Sequence, residues 1–591
     1  MIVSDRIHKL REIMKRENID YYIVPSGDFH QSEYVAEHFK SRAYISGFTG
    51  SAGTVLIGKE KAILWTDGRY FIQADQQLKD SGIELYKMRI PGWPSLEEWL
   101  MDNMNKGERL SFDGRVFSIN QYKEFKKIRD KNDISIVMDK DLIEEIWIEK
   151  PKMPKEKVFL HDVKYCGKSA KEKIKEVRVE MKKISGKSYI ISSLDDIAWL
   201  FNIRGNDVKN TPVTLAYALI NEREAILYID KEKVSQADKE KLKSEGIIIK
   251  NYQDMFEEVK TITDSVIIDP DKVSAYIYEQ IKDNVKTIEN INITTKLKAI
   301  KNITEIESLK NCQLKDGVAM VRFRKWIKEN LKKEDITEIT LADKLLEFRR
   351  KGELFVEESF STIAGYKDHA AMMHYSATKE SDYKLQEEGI LLVDSGGQYL
   401  DGTTDVTRSF VLGKLNEQEK IDFTLVLKAH ISLMKAKFLK GTTGSNIDIL
   451  SRKILWDEGI DYKCGTGHGV GFFLSVHEGP QTISTVPNKI SLEPGMIITN
   501  EPGIYREGKH GIRTENIMIV VQDKKSDEFG EFYKFEVMSY CPIDIDGIDI
   551  NLLTDEEKEW LNNYHRETYN RLNIFLNEDE KEFLKKATRS I

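Results

Sequence analysis

Apolar positions in the first three hundred residues switch between helical and strand spacing, and they do so twice. A charged amphipathic pattern from Arg6 to Asn18 gives way to a short apolar run at Tyr21 to Val24, and Ala170 to Lys183 followed by Tyr189 to Ile191 repeats the pair. Sliding the chain by 163 residues aligns Leu56-Ile57 and Ala62-Ile63-Leu64-Trp65-Thr66-Asp67 with Leu219-Ile220 and Ala225-Ile226-Leu227-Tyr228-Ile229-Asp230. The match runs on without a gap into Gln73-Ala74-Asp75 and Gln236-Ala237-Asp238. Each copy reads helix, strand, strand pair, helix. The proline-punctuated charged stretch Lys150-Pro151-Lys152-Met153-Pro154-Lys155 reads as the linker between them.

From about Lys301 the pattern changes. Leu309, Cys312, Val318, Val321, Trp326 and Ile327 recur mostly at helical spacings, which predicts a long helix over Glu305 to Lys333, and a second is predicted from Thr340 to Lys351. Short β-branched runs and glycine clusters follow, with His369, His374, His430, His468, His477 and His510, six of the chain's eleven histidines. Helix returns at Thr554, where Thr554 and Glu557 form a capping box ahead of Trp560, Leu561, Tyr564, Leu572, Phe575 and Leu576. That aromatic stripe reads first as packing on its own domain and second as a subunit interface.

Length and charge narrow the partners. A chain of 591 residues exceeds a single core, since domains cluster near ~100–150 residues. The expected organisation is 1–154 and 155–301, two related α/β domains, then 302–591, with a helical extension from about 552. Ninety Lys and Arg against 98 Asp and Glu, a net charge of -8, leave no basic surplus for a phosphate backbone, so nucleic acid is not an expected partner. No apolar run approaches the ~18 residues of a membrane span, and charges interrupt the first ten positions where a secretory signal would be apolar. Cys166, Cys312, Cys464 and Cys541 are scattered and form no CxxC pair, which points to a reducing cytoplasm.

Two acidic hairpins carry the chemistry. Gly389-Ile-Leu-Leu-Val-Asp394 is a strand running into turn residues, among them Asp401, which reads as a surface turn residue. The returning strand alternates Thr403, Asp405, Thr407 against Thr404, Val406, Arg408, so a hairpin centred near Tyr399 can put Asp394 and Asp405 on neighbouring strands. Paired carboxylates repel unless a cation or a shared proton relieves them. The second hairpin repeats the design: Gly495 to Glu501, a turn centred on Gly508, and Glu515 on the return. Between them lies Gly465-Thr-Gly-His468-Gly-Val-Gly, whose glycines keep neighbouring side chains off the imidazole. Four carboxylates and one imidazole make an oxygen-rich donor set that suits two Mn²⁺ or similar ions better than a structural zinc. A hydroxide shared by two such ions is a nucleophile near neutral pH, so metal-assisted hydrolysis is the expected reaction class.

In VDSGGQYLDGTTDVTR, GTGHGVGFFLSVHEGP, TNEPGIY and GIRTEN the chain resembles the pita-bread metallopeptidases, specifically the long three-domain Xaa-Pro aminopeptidases. WTDGRYF at Trp65 to Phe71 and SLDDIAWLFNIRGNDV at Ser193 to Val208 extend the resemblance into the two creatinase-N-like domains. The resemblance implies that Asp405 and Glu515 bridge two metal ions, most readily Mn²⁺ with Co²⁺ or Zn²⁺ as alternatives. It implies that Asp394 completes one ion, that His468 and Glu501 complete the other, and that Glu501 also shuttles a proton. His374 and His477 match histidines that contact substrate and intermediate, and Arg513 matches an arginine that holds the first-hairpin carboxylate. Many relatives carry a histidine four residues before the metal-binding one, where this chain has Cys464. A thiol is a poor donor, so whatever that histidine does for substrate binding is done differently or less well here. The implied substrates are peptides with proline at the second position, and the extra domains with the aromatic C-terminal stripe point to a homodimer. A prolidase-type dipeptidase and a non-catalytic pita-bread binding protein are the alternatives.

Overall fold

Ala62 and Ala225 begin equivalent strands, and so do Glu84 and Ile247, all at the 163-residue offset of the repeat. The computed structural model describes residues 2–523 and 528–591. Among these the chain divides into two units, the first reaching His161 and resuming over Lys168–Lys296, the second comprising Asp162–Gly167 and Leu297–Ile591.

The first unit holds two six-stranded mixed sheets. One contains β1 (Tyr21–Pro25), β2 (Thr54–Gly58), β3 (Ala62–Thr66), β4 (Glu84–Lys87), β5 (Arg109–Phe112) and β6 (Ser135–Val137), ordered β4-β3-β2-β1-β5-β6. The other contains β7 (Ser188–Ile191), β8 (Ala216–Asn221), β9 (Ala225–Ile229), β10 (Ile247–Lys250), β11 (Val266–Ile268) and β12 (Thr287–Glu289), ordered β10-β9-β8-β7-β11-β12. The orders are identical, and β1 and β7 each pair antiparallel on one side and parallel on the other. The sequence pattern found β1, β2 and β3 with their counterparts β7, β8 and β9, which are almost wholly buried, but not the short interior strands β5 and β11. It missed the edges, since strands such as β4 and β6 are three or four residues long and carry no fully buried position.

In the second unit, helix α1 (Ile303–Asn330) starts at a reciprocal capping box of Asn302 and Glu305. Its sequence periodicity is blurred because it is buried on more than one side. Asp316 takes a two-toothed ion pair from Arg349, and Arg324 pairs with Asp544, so these buried charges are matched. After α2 (Glu338–Arg349) comes a three-stranded sheet of β13 (Ile363–Tyr366), β14 (Ile390–Ser395) and β15 (Val406–Val411), ordered β13-β14-β15. The second sheet contains β16 (Lys437–Leu439), β17 (Gly467–Gly469), β18 (Glu478–Ile483), β19 (Ile497–Asn500), β22 (Asn516–Gln522) and β23 (Phe532–Val537), in the order β16-β23-β22-β19-β17-β18. The hairpin β20 (Gly503–Arg506) with β21 (His510–Arg513) projects between β19 and β22. Helices α3 (Glu417–Met434) and α4 (Gly444–Trp456) pack on these sheets through apolar clusters.

Helix α5 (Asp555–Leu572), followed by one more helix at Glu578–Ala587, starts at the Thr554–Glu557 capping box and buries Leu561, Tyr564 and Leu572. The Tyr564 hydroxyl donates to the Cys541 carbonyl and accepts from Arg408. The aromatic stripe therefore faces its own unit, and Phe575 alone among its named members is exposed. Asp401 is a correction of another kind: it is 2% exposed, and Lys315 and Asn311 from α1 bind its carboxylate. Turn residues call for surface exposure only where no helix covers the turn. Among the described residues no helix is long and apolar enough to cross a membrane.

Candidate metal centre

Asp394 stands near the end of β14, opposite Thr407 on β15, and Asp405 immediately precedes β15. Between them the chain detours through the short strands Gly397–Tyr399 and Gly402–Thr403, so the connection is longer than a simple hairpin. In the second hairpin, β19 pairs with β22 at Asn500 opposite Asn516, and β20 pairs with β21 at Gly503 opposite Arg513. Glu501 and Glu515 occupy the two breaks between these ladders. Both strands break at the same level, and that brings the two carboxylates together.

The hairpins are stitched to each other by β15. Thr407 accepts from the Glu515 amide at 3.2 Å through its carbonyl and donates through its hydroxyl to the Glu515 carboxylate at 2.7 Å. Arg408 donates to the Glu515 carbonyl and to the Asn516 side chain, and the Ser409 hydroxyl donates to the Arg513 carbonyl. His468 comes in on β17, whose glycines are demanded by packing: a Cβ on Gly467 would lie 2.0 Å from the Thr499 carbonyl oxygen, and one on Gly469 2.1 Å from that of Glu478. Their role in keeping the imidazole clear is secondary to this close approach of strands.

Among the described residues, Asp405, His468 and Glu515 each offer a ligand atom within 4.8 Å of the others. Glu501 joins them, its oxygen 3.2 Å from His468 Nε2, which is 3.5 Å from Asp405. His468 Nδ1 donates to the Gly469 carbonyl at 3.0 Å, which orients the ring with Nε2 toward the carboxylates. Asp394 is held from the side by Arg513, whose remaining donors go to the Tyr505 hydroxyl at 2.7 Å and the Thr407 hydroxyl at 3.1 Å. The other Asp394 oxygen is buried without a partner. The His477 ring meets that of His468 edge to face, centroids 4.2 Å apart. His374 is half-buried on the loop after the 3₁₀ turn Lys367–Ala371.

Electrostatics separate these groups. Burial, then the charges of Glu515, Asp394 and Glu501, push the Asp405 carboxyl well above its ordinary range. Burial, then Glu501 and Asp394, push Glu515 up to about 8. Burial also works upward on Glu501, but the hydrogen bond and charge of His468 outweigh it and hold Glu501 down to about 2. The same bond overcomes burial to raise His468 to about 9. Protein cations are thus too few for the buried carboxylates, and added positive charge would favour their ionised forms. With the partnerless Asp394 oxygen and a donor set of carboxylate and imidazole, the site fits hard divalent ions.

Burial, then Glu501, pushes the Cys464 thiol up to about 12. It is a protonated group packed against an apolar cluster that Tyr505 also touches, rather than a thiolate nucleophile. Sequence reasoning missed Thr407 and Tyr505, which tie Arg513, Asp394 and Glu515 together. Thr407 shares the alternation of Asp405, and that was the available signal. It also missed His430 of α3, which bonds the Asn500 carbonyl at 3.1 Å and the Asn516 amide at 3.2 Å, immediately behind Glu501 and Glu515.

Residues 307–522 match the sequence model of metallopeptidase family M24, and 531–591 match that of the C-terminal region of peptidase M24. Residues 6–145 and 149–305 each match a creatinase/prolidase N-terminal domain. Fold and site thus define the class, a pita-bread metallopeptidase behind two creatinase-like domains. The chain is 38% identical to a probable Xaa-Pro aminopeptidase P of Coprinopsis cinerea, covering 100% of this chain and 98% of the relative. It is 40% identical to Xaa-Pro aminopeptidase 1 of Dictyostelium discoideum, covering 96% and 92%. The solved structure of the Caenorhabditis elegans X-prolyl aminopeptidase, described as a cytosolic enzyme with a di-nuclear active site, superposes with a TM-score of 0.97 at 32% identity over 100% of both chains. A Bacillus anthracis Xaa-Pro dipeptidase shares the fold over 64% of this chain and 99% of its own, with a TM-score of 0.51 and 23% identity. On its full-length similarity the chain belongs to the Xaa-Pro aminopeptidase P family within these metallopeptidases.

Proposed function

We propose that the chain is a metallo-aminopeptidase that releases the N-terminal residue from peptides with proline in second position, using two divalent ions, Mn²⁺ foremost. The observation that carries the reading is the convergence of Asp405, Glu515 and His468, with Glu501 bonded to His468 and Asp394 held by Arg513. Asp405 and Glu515 would be shared between the ions, Asp394 would complete one, and His468 with Glu501 the other. When bound, the ions supply Lewis acidity toward the scissile carbonyl and lower the pKa of water.

The chain's own residues do the rest. Arg513 orients Asp394 and balances its charge. The Glu501 carboxylate takes a proton from the attacking water and returns it to the departing proline nitrogen, closing the balance of hydrolysis. His477 and His374 steady the substrate carbonyl and amine through their ring nitrogens. Four free cysteines, three of them buried, and the cytosolic description of the C. elegans relative support a cytoplasmic location. Homodimerisation rests on the apolar side chains Ile449, Leu450 and Trp456 that α4 leaves exposed, and sedimentation velocity tests it.

The test is cleavage of an Xaa-Pro-Pro tripeptide and an Xaa-Pro dipeptide by chelated and Mn²⁺-restored enzyme. Metal-dependent cleavage of the tripeptide supports the reading. Exclusive cleavage of the dipeptide overturns it in favour of a prolidase-type enzyme, and absence of both metal uptake and cleavage overturns it in favour of a non-catalytic binding protein.

A further inference from the structure

Glu338 is the first residue of α2 and is fully buried, yet no basic side chain of Lys or Arg pairs with it among the contacts that reach it. Its partners are four donors from one stretch of chain. The Tyr366 amide donates to Oε1 at 2.8 Å, and His369 Nδ1 lies 3.0 Å from both oxygens. The Tyr375 hydroxyl and the Tyr383 amide each donate to Oε2 at 3.0 Å. The His369 ring is sandwiched, its centroid 3.6 Å from that of Tyr383 and 4.4 Å from that of Tyr375, with both pairs stacked. The Glu338 amide returns a bond to the Tyr383 carbonyl at 3.1 Å, closing the base of the loop.

The loop so gathered carries His374, directly before Tyr375 and between the anchors at His369 and Tyr375. Its 3₁₀ turn also presses on the hairpin that ends in Arg513: a Cβ on Gly511 of β21 would lie 1.8 Å from the Ala370 carbonyl oxygen. A carboxylate is the one side chain that suits this place, because it accepts at both oxygens and donates at neither. A glutamine offers a single accepting oxygen and turns an NH₂ group toward further donors. Unpaired buried donors would then be relieved only by movement of the loop.

We infer that Glu338 is a positioning residue that holds His374 in register with the metal centre, acting through His369 and Tyr375. The inference rests on the reading above that His374 contacts substrate. Misplacing a substrate-contacting group by about 1 Å costs on the order of a hundredfold in rate. Glu338→Gln in the metal-reconstituted full chain is therefore expected to lower kcat/KM for an Xaa-Pro-Pro peptide by roughly ten- to a hundredfold. Metal content is expected to stay at the wild-type level. Tyr375→Phe, which removes one donor and adds none, gives a smaller loss and serves if the glutamine variant fails to fold.

A double-mutant cycle decides between positioning and general scaffolding. If Glu338 acts through His374, Glu338→Gln with His374→Ala loses no more kcat/KM than His374→Ala alone. Losses that multiply, with His374→Ala itself impaired, overturn the inference and leave the role of His374 standing. A His374→Ala enzyme with wild-type kcat/KM refutes the role of His374, and the inference falls with it. Reduced metal content in Glu338→Gln also overturns it, since the carboxylate would then be supporting the metal site directly.

Discussion

Acidification should loosen the catalytic unit at a pH above the range in which ordinary carboxylates titrate, through His430 and His565. Both are fully buried, and burial followed by the charge of Arg408 lowers His430 to about 3, while burial followed by Arg324 lowers His565 to about 3. The bonds of His430 show why: Nδ1 donates to the Asn500 carbonyl, and Nε2 accepts from the Asn516 amide, so only the neutral ring satisfies both. His565 Nε2 likewise accepts, from the Ile543 amide. In the unfolded chain a histidine titrates near ~6.5. Below that value the unfolded state binds protons that the folded state refuses, so stability is complete above ~6.5 and is lost as pH falls toward 3. At pH 5 the loss is about 2 kcal/mol for each ring, about 4 for the pair, against the roughly 5–15 kcal/mol that holds a domain folded. Native-state hydrogen exchange of amides in β19 and β22 measures this directly, and His430→Gln isolates one ring. The stability difference between wild type and variant should shrink by about 2 kcal/mol between pH 7 and pH 5. A difference that does not change with pH refutes the reasoning, whatever the absolute stability of the variant.

Other outcomes follow from the site. Asp405→Asn or Glu515→Gln should abolish metal uptake and peptide cleavage together, and elemental analysis beside a kinetic assay checks both. Arg513→Met leaves Asp394 without its buried counter-charge and should cost about 3–5 kcal/mol of stability in urea unfolding. Gly467→Ala forces a methyl group against the Thr499 carbonyl and should cost roughly 1–3 kcal/mol while weakening metal binding, read by unfolding and metal titration. Treatment with a chelator should abolish cleavage and Mn²⁺ should restore it, with both followed by peptide hydrolysis.

Much of the architecture was legible in local pattern, because burial on one face leaves a period. The repeat showed itself in apolar β3 and β9, and the sheets that contain them have the same strand order. The short edge strands β4 and β6 were not legible, since an exposed strand of three or four residues carries no period to find. Asp401 was misread for the complementary reason: it sits in turn chemistry, and only α1 lying across that turn buries it and supplies Lys315.

By itself the sequence determined which carboxylates and which imidazole stand at the strand ends and turns of the two hairpins, and that two related α/β copies precede a third region. Tertiary structure alone decided which of those groups meet. The Thr407 hydroxyl reaches Glu515 across 108 positions of sequence, Arg513 reaches Asp394 across 119, and Glu338 gathers a loop from 28 to 45 residues away. Periodicity encodes the face on which a residue lies, because that depends on near neighbours. The contact made across that face depends on how sheets and helices pack, and no local spacing records it.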